Sequence, residues 1–173
     1  GPAILMQADR NRVQRNRVIR GGGIVVGPGN RNVIARNRVS RALDSIAIEG
    51  GRGNLVARNV VVDARRAGIR LGLPQPPFGG DHNDVRRNVV KQSGGDGFLV
   101  AKKDDHSTLT RNVAKRAGGD GFDVESRSTK LAKNRATNNR DLGIEAVEGV
   151  SDGGGNRAGG NGDRRQCVHV KCH

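Results

Sequence analysis

Read from residue 11, the chain sets single apolar residues among polar ones in a unit that keeps returning. Asn11, Val13, Asn16 and Val18 stand in the spacing Asn-x-Val-x-x-Asn-x-Val, and Asn32, Ile34, Asn37 and Val39 repeat it, as do Asn54, Val56, Asn59 and Val61. Asn83, Val85, Asn88 and Val90 follow, then the looser copies Ser107, Leu109, Asn112, Ala114 and Thr129, Leu131, Asn134, Ala136, with a remnant at Asn156, Ala158 and Asn161. Taking the second asparagine of each copy at 16, 37, 59, 88, 112, 134 and 161, the intervals are 21, 22, 29, 24, 22 and 27 residues. Between copies lies an apolar pair two residues apart: Ile24/Val26, Ile46/Ile48, Ile69/Leu71, Phe98/Val100, Phe122/Val124 and Ile144/Ala146.

Alternation over such short stretches predicts strands rather than helices, and a period just above twenty predicts a solenoid. The fold class expected is all-β: a right-handed parallel β-helix of about seven coils, running as one domain from 1 to 173. Each coil would hold about three short strands. Val13, Ile34, Val56, Val85, Leu109 and Leu131 would form one inward stack, spaced about 4.8 Å, and the asparagines would sit at a bend and bond their copies along the axis.

The segments "GGDGFLV" at 94–100 and "GGDGFDV" at 118–124 fall one period apart, so they read as turns of the repeat before they read as catalytic loops. Gly97 and Gly121 would permit tight bends, with Asp96 and Asp120 bonding nearby backbone amides.

The units quoted above resemble the right-handed parallel β-helix proteins of the pectate-lyase-like superfamily, over nearly the whole chain from Asn11 to Val170. That superfamily includes polysaccharide lyases, glycoside hydrolases, uronate epimerases, metal-delivery proteins and adhesins, so the resemblance implies a fold and leaves the function open. It also implies a secreted or cell-surface location, and a disulfide between Cys167 and Cys172 that pins the last coil. Fully extended, those two cysteines would be too far apart to bridge, so the chain is expected to turn after Val170. Cys167, His169, Cys172 and His173 could alternatively bind zinc, although their spacing fits no common zinc pattern. The first residues begin almost inside a coil, which suggests the C-terminal portion of a longer chain. No stretch is long and apolar enough to span a membrane, and the sequence carries no signal for an oligomeric state.

Charge narrows the partner. Lys and Arg number 31 against 17 Asp and Glu, a net charge of +14, which favours an anionic ligand. The residue before the second asparagine is Arg15, Arg36, Arg58, Arg87, Arg111 and Lys133 in successive copies, a row that would be a basic ridge or simply a solvated surface. Aromatic content is 2%, with no Trp or Tyr, which argues against base stacking and so against a nucleic-acid binder. Acidic polysaccharide is the expected partner.

In the resembled superfamily, substrate lies along one sheet, so the outward positions of the apolar-pair strand matter most. In order they are Val25, Ala47, Arg70, Leu99, Asp123, Glu145 and His169, followed one step on by Glu49, Glu125, Val147 and Lys171, with Lys103 and Arg127 aligned beyond. Two longer loops leave this strand, 72–81 and 101–107, and both end alike, in Asp81-His82-Asn83 and Asp105-His106-Ser107. The two His-Asp pairs should therefore meet on neighbouring coils, an arrangement suited to acid–base chemistry or a metal, or to nothing beyond a solvated bend. A uronate lyase or epimerase would use His82 or His106 as base, with Lys103 and Arg70 or Arg127 neutralising the substrate carboxylate; a hydrolase would use Asp123 with Glu145, and Glu125 would help bind. No cofactor is called for, and no motif supports calcium.

Overall fold

The computed structural model describes residues 1–73 and 79–173, and among these there is no helix. Among the described residues the strands stack into three long parallel sheets and one short one, in which Gly80–Asp81 pairs with Gly51–Arg52. Sheet 1 has eight strands, from Ile4–Met6 through Ile69–Leu71, Phe98–Val100 and Phe122–Val124 to Cys167–Val168. Sheet 2 has seven, from Arg12–Gln14 to Ser151–Asp152, and sheet 3 has seven, from Arg17–Ile19 to Arg157–Gly159. Each coil thus contributes one strand to each sheet, in the order 1, 2, 3, over about seven coils. Part of the 72–81 loop, residues 74–78, lies outside the described residues.

The three-residue strands explain why single apolar residues are sufficient. The centre of each sheet 2 or sheet 3 strand points inward, and its neighbours point out. The expected stack forms: Val13 pairs with Ile34, then Val56, Val85, Leu109 and Leu131 follow in register. Ile34 to Leu131 are fully or almost fully buried. In sheet 1 both residues of each apolar pair face inward, and Phe98 and Phe122 stack with ring centroids 4.6 Å apart.

Between sheets 2 and 3 the chain turns through two residues. The first takes the left-handed conformation, with φ of 58° at Arg15, 57° at Arg36 and Arg58, 56° at Arg87 and Arg111, and 57° at Lys133. Such a conformation costs a non-glycine residue about 1–2 kcal/mol. The second residue, the asparagine, offsets that cost. Its Oδ1 accepts both the backbone N–H and the Nδ2 of the asparagine one coil earlier, at 2.9–3.3 Å, from Asn16 through Asn37, Asn59, Asn88, Asn112 and Asn134 to Asn156. Its Nδ2 also donates to the carbonyl of the inward stack, as Asn88 does to Val56 at 2.8 Å. The asparagines from Asn37 to Asn156 are buried.

Three details depart from the sequence reading. The ladder's seventh member is Asn156, not Asn161, because Ala136 pairs with Ala158; Asn161 instead accepts from Asn139 in a separate, shorter file and donates in turn to Gln166 Oε1. The inward stack accordingly terminates in Asp152 opposite Leu131, whose carboxylate accepts from the amides of Gly154 and Lys171 and from Asn156 Nδ2. Gly97 and Gly121 are required for close approach rather than for an unusual φ: a Cβ on Gly121 would lie 2.5 Å from the Gly143 carbonyl and 2.7 Å from Ala136 Cβ. Cys167 and Cys172 are bonded, with Cα atoms 6.2 Å apart. The turn that permits this begins at His169, with φ of 57°, rather than after Val170. With both sulfurs in the disulfide, the alternative zinc set is excluded.

Asn88→Ala removes the acceptor of two Asn59 donors and the Nδ2 that donates to Val56 and to Asn112, and is expected to cost about 3 kcal/mol in urea unfolding. Arg87→Gly, one residue away, should leave stability unchanged or raise it by about 1 kcal/mol, because glycine adopts the left-handed bend without strain.

Candidate functional site

Three surfaces carry chemistry. The first is a groove of about 1090 Å³ along the outer face of sheet 2. Its floor comes from the outward flanks of the three-residue strands, where Ala35, Ala57 and Ala132 leave room between longer neighbours. One wall is the left-handed file Arg36, Arg58, Arg87, Arg111 and Lys133; Arg12, Arg86 and Lys130 add three more cations from the strands. Arg15 continues the file in register but lies outside the lining. Asp84 is the groove's sole carboxylate; it is paired with Arg86 at 3.0 Å, and burial pushes its pKa up against that charge. Arg12, Asp84, Arg86 and Lys130 were not picked out from the sequence, although they simply flank the inward stack.

The second surface is the corner between sheets 1 and 2, where the two long loops return. Asp81 and Asp105 bridge neighbouring coils, so His82 and His106 come together as their 24-residue spacing requires. Both have left-handed backbones, φ 53° and 51°, and their rings stack with centroids 4.9 Å apart. Both Nδ1 atoms approach the same oxygen, Asp81 Oδ1, at 2.5 Å from His82 and 3.3 Å from His106. Arg52 Nε lies 3.4 Å from the other oxygen. Burial acts to raise the Asp81 pKa, but the hydrogen bonds and charges of His82, His106 and Arg52 outweigh it and hold the pKa below the usual value. Beneath this corner Asp104 is fully buried, with Oδ2 accepting from Asn83, and desolvation lifts its pKa to about 6.

The third surface is the outer face of sheet 1. Arg70 is largely buried and spoken for, its guanidinium bonded to Asp44 at 3.1 Å, to Glu49 at 3.0 Å and to the Gly72 carbonyl. Asp123 and Glu145 are register partners on adjacent coils. The next residue in that row is Val168, not His169; His169 remains exposed and bonds the Ala146 carbonyl at 2.7 Å, and Lys171 lies beyond the last strand of the sheet. Asp96 and Asp120 bond amides across coils, Asp96 to Asp120 N–H and Asp120 to Leu142 N–H, as turn aspartates should. Desolvation, then the charges of Asp96, Glu125 and Glu145, push Asp123 up to about 7, and Asp120 is raised by burial with Glu145 and Asp96 adding to it. Lys103, Glu125 and Arg127 are exposed beyond this face.

The family model for the right handed beta helix region matches residues 2–161, and the chain belongs to that family. Among solved structures it is similar to a double mutant of the periplasmic alginate epimerase AlgG, with a TM-score of 0.76 at 18% identity, covering 99% of this chain and 47% of that one. The chain therefore spans about half the length of that relative, and the likeness concerns the fold. No curated protein sequence matches.

Asp123 generates a pH prediction. A carboxyl with a raised folded-state pKa holds its proton more tightly when folded, so its contribution to stability is lost as pH rises from the ordinary value of 3.8 towards about 7. Wild-type stability should therefore fall relative to Asp123→Asn across that window, measured by urea unfolding at successive pH values; parallel curves would refute the assignment.

Proposed function

We propose that the chain is an extracytosolic β-helix that binds a linear acidic polysaccharide along the sheet 2 groove. The observation that carries this reading is the balance of its lining: eight arginines and lysines against the single carboxylate of Asp84. The cations recur once per coil, so a stretched polyanion lying along the axis would meet them one after another, and a neutral glycan would gain nothing from them. The similarity to an alginate epimerase supports a polyuronate as the ligand class, and the disulfide with that relative's periplasmic location supports a compartment outside the cytosol. Duplex nucleic acid is disfavoured by the sparse aromatics only as far as base stacking goes, so it belongs in the test.

A second reading, lyase or epimerase chemistry, is favoured by the stacked His82 and His106 at Asp81. Either imidazole could take the proton beside a uronate carboxylate, with exposed Lys103 and Arg127 to neutralise it. Arg70 is less suited to that task, being already held by Asp44 and Glu49.

Binding of alginate and polygalacturonate, followed by calorimetry at rising salt, checks the first reading. Affinity should fall steeply as salt screens the exposed charges, and the Arg58→Ser, Arg87→Ser, Arg111→Ser triple variant should lose at least tenfold. Equal binding of a neutral glucan, or retention of duplex DNA with no glycan bound, would overturn it. No rise in ultraviolet absorbance from unsaturated products is expected with either polymer; a rise abolished by His106→Ala would instead establish the lyase.

A further inference from the structure

The sheet 1–sheet 2 corner carries an arrangement that polyanion binding does not use. Asp81, His82 and His106 each offer a donor atom, and these three atoms lie within 4.8 Å of one another. We propose that they form a binding site for a divalent transition-metal ion of the zinc class.

The argument begins with how firmly the corner is built. His82 N–H bonds the Asp105 carbonyl at 2.9 Å, and His106 N–H bonds Ser128 Oγ at 3.0 Å, so each imidazole hangs from a backbone tied to the next coil. A Cβ on Gly80 would lie 2.1 Å from Asp104 Oδ2, which shows how tightly the strand before Asp81 is seated. Consecutive coils are separated by one strand spacing, and that spacing sets the 4.9 Å between the rings.

Zinc holds imidazole nitrogen and carboxylate oxygen at about 2.0–2.2 Å in a tetrahedron, which places neighbouring donors roughly 3.4 Å apart. The His106 Nδ1 to Asp81 Oδ1 distance is already 3.3 Å, while the shorter 2.5 Å contact from His82 would have to open. The three donor atoms already lie within 4.8 Å of one another, and both imidazoles are exposed enough to rotate. Asp81 Oδ2 is held by Arg52, and a carboxylate oriented from its far oxygen is the usual outer support of a metal ligand.

The donor set selects the ion. Two nitrogens and one oxygen suit zinc, cobalt, nickel or copper, whereas calcium and magnesium require an all-oxygen shell. The imidazoles are half or more exposed, so the remaining coordination position opens to solvent. Metal and proton would compete for the same lone pairs, so an occupied site could not use His82 or His106 as a base.

The test is calorimetric titration of the tag-free chain with zinc chloride, paired with the visible absorption spectrum of the cobalt form. One equivalent should bind, with a d–d band of low-symmetry cobalt, and excess calcium should not displace it. His82→Asn and His106→Asn retain a residue that tolerates the left-handed bend; each should weaken binding at least tenfold with unchanged circular dichroism, and Asp81→Asn should weaken it less. His173→Asn, at the far terminus, should bind as the wild type does. Failure of the wild type to bind in a saturable way, or unaltered binding by the His82→Asn, His106→Asn double variant, would overturn the proposal. Loss of polyuronate binding in the groove variants would leave this result untouched, so the two readings fail separately.

Discussion

The side-chain amide of asparagine, stacked on its own copy one coil away, is the interaction on which the rest of this molecule depends. A bend between two strands strips backbone groups of ladder partners, and burying them unpaired would cost about 1–3 kcal/mol apiece. Each ladder asparagine accepts from the backbone and side chain of the coil before it and donates to the inward stack of that coil. A file of such residues therefore closes the bends while fixing the axial register. The apolar core can then be thin: one valine or leucine per strand is enough when its neighbours above and below cannot slip.

The ladder also explains why the charged file is so regular. The residue before each asparagine must turn through the left-handed region, and its side chain is thereby thrown outward, into the wall of the sheet 2 groove. Neighbouring guanidinium groups one strand apart repel by about 1 kcal/mol in water. Backbone strain and mutual repulsion thus accumulate along one line of the surface, both tolerated because the buried amides beside them are fully bonded. A ligand that supplied negative charge would relieve the second of these costs.

Much of the fold could be read from the chain because a solenoid writes each structural requirement once per coil. The Val13-to-Leu131 stack, the amide ladder and the meeting of His82 with His106 all follow from aligned spacing. The last coil misled because Asp152 stands where an apolar residue was expected and Asn161 imitates the ladder five residues late; a polar end cap breaks the very pattern that locates it. The sheet 2 groove was legible in part, since its wall is the file of Arg36, Arg58, Arg87, Arg111 and Lys133 that the spacing marks as a ridge, while its floor and the strand cations Arg12, Arg86 and Lys130 were not. Those flanking positions carry alanine, threonine, arginine and lysine in no fixed order from coil to coil, so they leave no periodic mark. Arg70 shows what spacing cannot supply, since its partners Asp44 and Glu49 come from the preceding coil at non-repeating positions. That an outward arginine is buried by two carboxylates has no periodic signature.

The ladder bonds are the same length whether the asparagines are 21, 22, 24 or 29 residues apart in the chain. The bend between sheets 2 and 3 keeps two residues in each coil up to Lys130–Ala132, so the extra length is taken up chiefly at the corner between sheets 1 and 2. That corner is the most elastic of the three bends, since the return from sheet 3 to sheet 1 varies less, from Ile19–Ile24 to Gly159–Cys167. Insertions there can be gained, lost or rewritten without disturbing the amide file or the groove, whereas a single added residue in the bend between sheets 2 and 3 would break the file that holds those charges in line. New chemistry in such a scaffold arises most easily where the chain length is freest, and that is where the two histidines stand.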